Sequence, residues 1–163
     1  MGNNMLQPFP LWLEIAAKEL GQKELFGRGA SNKRIIEYHA ATTLKATEDE
    51  VPWCASFTNW CLNQAGVEGT KSAAAMSFAG YGARCNPTLG AIAVVRFENQ
   101  GSGSGAHVGF LWYTDKDKLI ILGGNQQDSV NLTSFRRDRL ISYRWPTNWA
   151  NGLPMSDSGR KVI

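Results

Sequence analysis

The sequence predicts an α+β fold, with helices gathered in the N-terminal half and an antiparallel β-sheet in the C-terminal half. Three observations carry that prediction. Apolar residues recur at three- and four-residue spacing as far as about residue 79. From Gly90 onward the apolar residues instead run continuously or alternate with polar ones, the patterns of buried and half-buried strands. Short polar turns at Asp115-Lys116-Asp117 and Arg137-Asp138 separate these later segments, and turns that short join antiparallel neighbours.

Taken in order, Pro10 to Leu20 reads as an amphipathic helix: Trp12, Ile15, Ala16 and Leu20 follow the helical period, Pro10 lies near the start and Gly21 past the end. Residues 27–32 form a loop, and Asn32 is placed to cap a second helix running to about Thr43. His39, inside that helix, reads as a structural histidine. An acidic loop, Thr47 to Glu50, leads into Val51-Pro52-Trp53-Cys54. Pro52 holds Val51 extended, and from Trp53 the residues Phe57, Trp60, Cys61 and Ala65 take up a helical period that Gly66 closes. A short helix is expected over Ser72–Ala79. Strands follow at Ala91–Phe97, Ala106–Tyr113, Leu119–Gly124, Val130–Phe135 and Leu140–Trp145. The loop Asn99–Gly105 precedes a strand and has no Lys-Ser/Thr after it, so it is no phosphate loop.

Composition narrows the function. At 163 residues, 43% hydrophobic and 19% charged, the chain is sized for a single domain, 1–163, with its core over about 10–146. A net charge of +3 is too small to argue for nucleic acid. No apolar run reaches the length of a membrane span. The N-terminus shows no basic segment followed by an apolar one, so the expectation is a protein made in the cytoplasm without a signal peptide. Three cysteines, Cys54, Cys61 and Cys85, argue against a disulfide framework. Cys54 and Cys61 would lie roughly 10 Å apart along one helix, too far to bridge. There is no CxxC and no HExxH, so neither a metal nor a cofactor is expected.

Cys54 is where chemistry concentrates. In the first turn of a helix, unpaired backbone N–H groups and the helix dipole favour an anion, so a lowered thiol pKa and an oxyanion site are both expected there. The base must be a histidine, and His107 opens the strand after the Gly/Ser loop. If Tyr113 pairs with Leu119 across a hairpin, paired numbers sum to about 232. Gly109 then faces Gly123, and His107 faces Asn125. In that register Asn125 accepts the Nδ1–H of His107 and turns Nε2 to the thiol, while Gln126 points to the other face of the strand. Cysteine on a helix N-terminus, then histidine and a polar orienter on successive strands, is the logic of a Cys–His–Asn hydrolase.

Several segments together, Pro52-Trp53-Cys54-Ala55-Ser56-Phe57, Asn59-Trp60-Cys61-Leu62, Gly105-Ala106-His107-Val108-Gly109-Phe110, Leu122-Gly123-Gly124-Asn125-Gln126 and Ser142-Tyr143-Arg144-Trp145-Pro146, resemble the papain-like peptidoglycan amidases, the CHAP and NlpC-type superfamily. The resemblance spans about residues 10–146. It implies a papain-like arrangement of N-terminal helices on a C-terminal antiparallel sheet, and cleavage of amide bonds in bacterial cell-wall peptide. Cys54 matches the family nucleophile and His107 the base. Many CHAP members carry an acidic residue two before an asparagine, a position held here by Gly123. Asn125 is therefore the expected orienter and Gln126 the alternative, with Trp53 and Gln126 as candidate substrate-binding residues. The implied partner is the peptidoglycan peptide stem, met in the periplasm or cell wall after lysis or dedicated export. A phage lysin, or a delivered toxin with its secretion machinery and an immunity protein, matches that expectation. Transamidation or deamidation of a protein on the same fold, and a non-catalytic wall-binding module, are the alternatives.

Overall fold

A computed structural model describes residues 10–27, 29–97 and 105–147; most of the Gly/Ser loop before His107 lies outside the described residues. Helix α1 (Leu11–Lys18) buries Trp12, Leu13 and Ala16. The Trp12 indole N–H donates to the Gly90 carbonyl at 2.8 Å, and its ring meets Trp145 edge-on at 5.0 Å, tying the first helix to both ends of the sheet region. Helix α2 (Lys33–His39) is capped by Asn32, whose side chain accepts from the Arg34 N–H. It stops short of the expected Thr43 because the chain turns there: the Thr43 N–H donates to Lys71 O at 2.8 Å instead of continuing the ladder. Helix α3 (Cys54–Gln64) starts just after Trp53, which places Cys54 in its first turn as expected, and buries almost every side chain through Leu62. Gly66, with φ +74°, closes it in the left-handed conformation that glycine adopts without steric cost.

The helix expected over Ser72–Ala79 contracts to a single 3-10 turn at Ala75–Phe78. The reason is a competing set of bonds. The Asn59 side chain, buried on α3, accepts the Lys71 N–H and donates to Ser72 O, holding that stretch extended against the helix.

Among the described residues the sheet has six strands: β1 (Ala83–Arg84), β2 (Ile92–Arg96), β3 (Ala106–Thr114), β4 (Lys118–Gln126), β5 (Ser129–Arg136) and β6 (Leu140–Trp145). Their order is β1-β6-β2-β3-β4-β5, with every pair antiparallel. The fold is therefore α+β as predicted. Strand β1, only two residues long, has too little pattern to show in the sequence. The β2 residues Ile92–Val95 are fully buried, as their unbroken apolar run requires. One core joins α1, α2 and α3 to β2, β3 and β4 through Trp12, Tyr38, Trp53, Phe57, Val94 and Phe110. Among the described residues no helix is long and apolar enough to cross a membrane.

Two irregularities in β4 pairing matter for the site. The register Phe110↔Leu122 and Leu111↔Ile121 agrees with the predicted sum, but a bulge at Trp112 then pairs Tyr113 with Ile120, not with Leu119. A second shift falls between Gly123 and Gln126, where β4 pairs with β5 as Gly123↔Asn131 and then Gln126↔Ser129. Asn125, Gln127 and Asp128 all take positive φ, so the strand rolls over at this point before β5 returns.

Candidate active site

Cys54 is the first residue of α3, and the side chain of its N-cap, Trp53, makes no capping bond. Three backbone N–H groups face the Cys54 sulfur: its own, that of Ala55 and that of Val108 on β3. The first two are the free donors of a helix start. The third is supplied by the strand, and it brings the residue next to His107 onto the Cys54 sulfur. Cys54 is 8% exposed, and burial pushes its thiol up while the three N–H groups pull the other way. The lowered thiol pKa expected from the helix N-terminus is thus corrected: desolvation outweighs the dipole, and the resting group is a thiol.

His107 is 2% exposed. Its ring stacks on Phe135 at 5.4 Å and meets Phe97 at 5.8 Å, so its faces are apolar. Burial pulls its pKa down to about 4, against the raising effect of a hydrogen bond to Gln126. That bond runs from Nε2 to Gln126 Oε1 at 2.8 Å. The Gln126 amide nitrogen donates to two backbone carbonyls, Ile121 O at 3.2 Å and Asn131 O at 2.8 Å. Carbonyls only accept, so the amide cannot be turned around. Oε1 therefore faces the imidazole, Nε2 carries the proton, and Nδ1 is left with a lone pair.

This corrects the assignment of the orienter. Gln126, not Asn125, pairs with His107, and it does so through Nε2 where an Nδ1 contact was expected. The physical reason is the shift between Gly123 and Gln126: one extra residue reverses the alternation, so Gln126 arrives on the face predicted for Asn125. Asn125 is half-buried with φ +55° and occupies the roll of the strand. The two candidate substrate-binding residues change role as well. Gln126 is 4% exposed and committed to His107. Trp53 is fully buried, stacked on Tyr38 at 5.8 Å, with its indole N–H donated to Glu24 at 2.8 Å, so it supports the helix start from within the core.

The room for the pair comes from Gly123. A Cβ on Gly123 would lie 2.7 Å from Gln126 Oε1 and 3.3 Å from His107 Nε2. A Cβ on Gly124 would instead meet Trp53 at 2.6 Å and Phe57 at 2.7 Å. The two adjacent glycines thus let β4 approach the catalytic candidate pair with one residue and α3 with the next.

No hydrogen bond joins the Cys54 sulfur to the His107 ring among the described residues; the two are linked through the Val108 backbone. His39, the other histidine, is buried and bonded through Nδ1 to Ser56 Oγ at 2.9 Å, a bracing contact between α2 and the first turn of α3. Cys61 is fully buried and Cys85 partly so, and burial raises both thiols, the second to about 11. Among the described residues no three His, Cys, Asp or Glu side chains converge as metal ligands. A comparison of the chain with protein-family models finds no match, and a comparison with curated proteins finds none either.

Proposed function

We propose that the chain is a papain-like cysteine hydrolase that cleaves amide bonds in the peptide of bacterial peptidoglycan, as a lysin or as a toxin delivered to other cells. One observation carries the reading. A cysteine stands at a helix start with three backbone N–H groups around its sulfur, and the strand that supplies one of them carries, at its second residue, a buried histidine whose tautomer is fixed by Gln126. The sequence segments that resemble the peptidoglycan amidases coincide with these elements.

In this mechanism the Cys54 sulfur attacks the substrate carbonyl carbon and its proton passes to His107 Nδ1, the nitrogen left free by Gln126. The backbone N–H groups at the helix start receive the charge on the carbonyl oxygen. Collapse of the tetrahedral intermediate breaks the amide bond, and the imidazolium returns the proton to the leaving amine. Water, deprotonated by the same nitrogen, then hydrolyses the thioester. Both groups are neutral at rest because both are buried, so the thiol proton passes to the ring as the sulfur attacks the carbonyl. Gln126 is uncharged and supports the imidazolium only by accepting its Nε2–H.

Purified sacculi incubated with the protein should release soluble fragments, and mass spectrometry of those fragments should show one class of cleaved amide. Cys54→Ala should abolish release with the fold unchanged, whereas Cys61→Ala and Cys85→Ala should keep most of it. A thiol alkylator should stop the reaction and a strong chelator should not. Full activity in Cys54→Ala, or loss to the chelator with indifference to alkylation, would overturn the reading.

A further inference from the structure

Gln126 is held by Ile121 O at 3.2 Å, by Ser129 Oγ, which donates to its backbone carbonyl at 3.0 Å, and above all by Asn131. Asn131 on β5 touches it three ways: its backbone carbonyl and its Oδ1 both accept from the Gln126 amide, at 2.8 and 2.9 Å, and its Nδ2 donates to the Gln126 backbone carbonyl at 2.8 Å; its register partner is Gly123, which makes the room for the pair. The orientation of the Asn131 amide is settled in turn, since Gln126 O can only accept. The remaining positions are filled by Thr133, whose hydroxyl donates to Asn131 Oδ1 at 2.6 Å, and by Ser129 Oγ at 3.1 Å from Nδ2.

We infer that Asn131 is a positioning residue that sets the tautomer of His107 by clasping both the side chain and the main chain of Gln126. The clasp is needed because of where Gln126 sits. It follows a residue at φ +55° and precedes two more with positive φ, a stretch with no strand ladder of its own to fix a side chain. The ladder resumes only at Gln126↔Ser129. With the Asn131 side chain in place, the Gln126 amide nitrogen is surrounded by three acceptors and Oε1 has only the imidazole to accept from. Without it, the backbone carbonyls of Ile121 and Asn131 still accept from the Gln126 amide and Ser129 Oγ still donates to Gln126 O, but the Oδ1 acceptor and the Nδ2 donor are gone, and the long side chain regains rotamers in which the bond to His107 Nε2 is broken. His107 then partitions between its Nε2–H and Nδ1–H forms, and the second cannot take a proton from the thiol at Nδ1.

The inference rests on the proposed function for its catalytic consequence, but its first test needs no substrate. Imidazole nitrogen resonances of His107, recorded by NMR on uniformly labelled protein at pH 7, distinguish the two tautomers. Wild type should show a single Nε2–H form, and Asn131→Ala should show both forms in comparable amounts. In the sacculus assay the same variant should lose roughly tenfold in kcat with KM little changed, because positioning and not binding is affected. Thr133→Val, which removes only a donor to Asn131, should leave the His107 signals as in wild type. If Asn131→Ala does not fold, Asn131→Asp takes its place: it keeps the shape and the Oδ1 acceptor but sets an oxygen against Gln126 O, and should still mix the tautomers. A wild-type His107 spectrum in the folded variant, or failure of both variants to fold, overturns the assignment. Absence of hydrolysis by wild type would sink the proposed function while leaving the tautomer result standing.

Discussion

At Gln126 and Asn125 a single position decides which side chain can meet His107. The Nε2–Oε1 bond predicts that Gln126→Ala will lower kcat by about tenfold to a thousandfold with a smaller change in KM, since the base remains but its tautomer is freed. Asn125→Ala should keep near-normal kcat and lose about 1 kcal/mol of stability, because alanine tolerates φ +55° less well than asparagine. Assaying the two side by side, with thermal melts, separates them; the opposite ranking would return the orienter's role to Asn125. His107 also sets the pH profile. Its pKa, held down to about 4 by burial, means that protonation removes the base only as pH falls through about 4. The acid limb of kcat/KM should lie near there, and a limb at the ordinary histidine value of 6.5 would show that the ring is solvated in the working enzyme.

Among the elements, β4 carries the most constrained stretch. Its paired glycines do different work, and alanine scanning should expose the difference. At Gly123 a methyl group would press on Gln126 Oε1 and His107 Nε2, so Gly123→Ala should cost activity first. At Gly124 it would press on Trp53 and on the Cβ of Phe57, both deep in the core, so Gly124→Ala should cost about 1–3 kcal/mol of stability by overpacking. Urea unfolding beside a turnover assay checks the pair, and equal effects on both readouts in both variants would refute the division. Helix α3 is constrained at its start by similar means. Trp53 is fixed by Tyr38 and Glu24, and Ser56 by His39, so Cys54 stands in a helix turn gripped by α2 and by Glu24.

On the scale of the whole molecule, a buried neutral histidine ties stability to pH. The folded state holds His107 below its unfolded value of 6.5, so between about 6.5 and about 4 the unfolded chain binds more protons than the folded one. Stability is therefore full above about pH 6.5 and declines as pH falls towards 4, by an amount on the order of 3 kcal/mol for a shift of this size. His39, also lowered by burial, acts in the same direction. Unfolding free energies at pH 7 and pH 5 should differ less in His107→Gln than in wild type, and an unchanged difference would mean that His107 titrates alike in the folded and unfolded chain.

The sequence alone determined the α+β order, the place of Cys54 in the first turn of α3, the central buried strand and the placing of His107 at the head of β3. Each of these follows from local chemistry: a proline that forbids helix, an apolar period, an unbroken apolar run, a Gly-rich break. The tertiary structure decided the rest. Which of two neighbouring amides meets the histidine depends on a one-residue shift between β4 and β5, and nothing in Leu122-Gly123-Gly124-Asn125-Gln126 shows that shift except its two glycines. The charge state of the thiol depends on how deeply α3 is buried, which a helix N-terminus by itself does not state. Asn131 gains its part from the strand it happens to pair with, because hydrogen bonds between strands are set by register and register is a property of the assembled sheet.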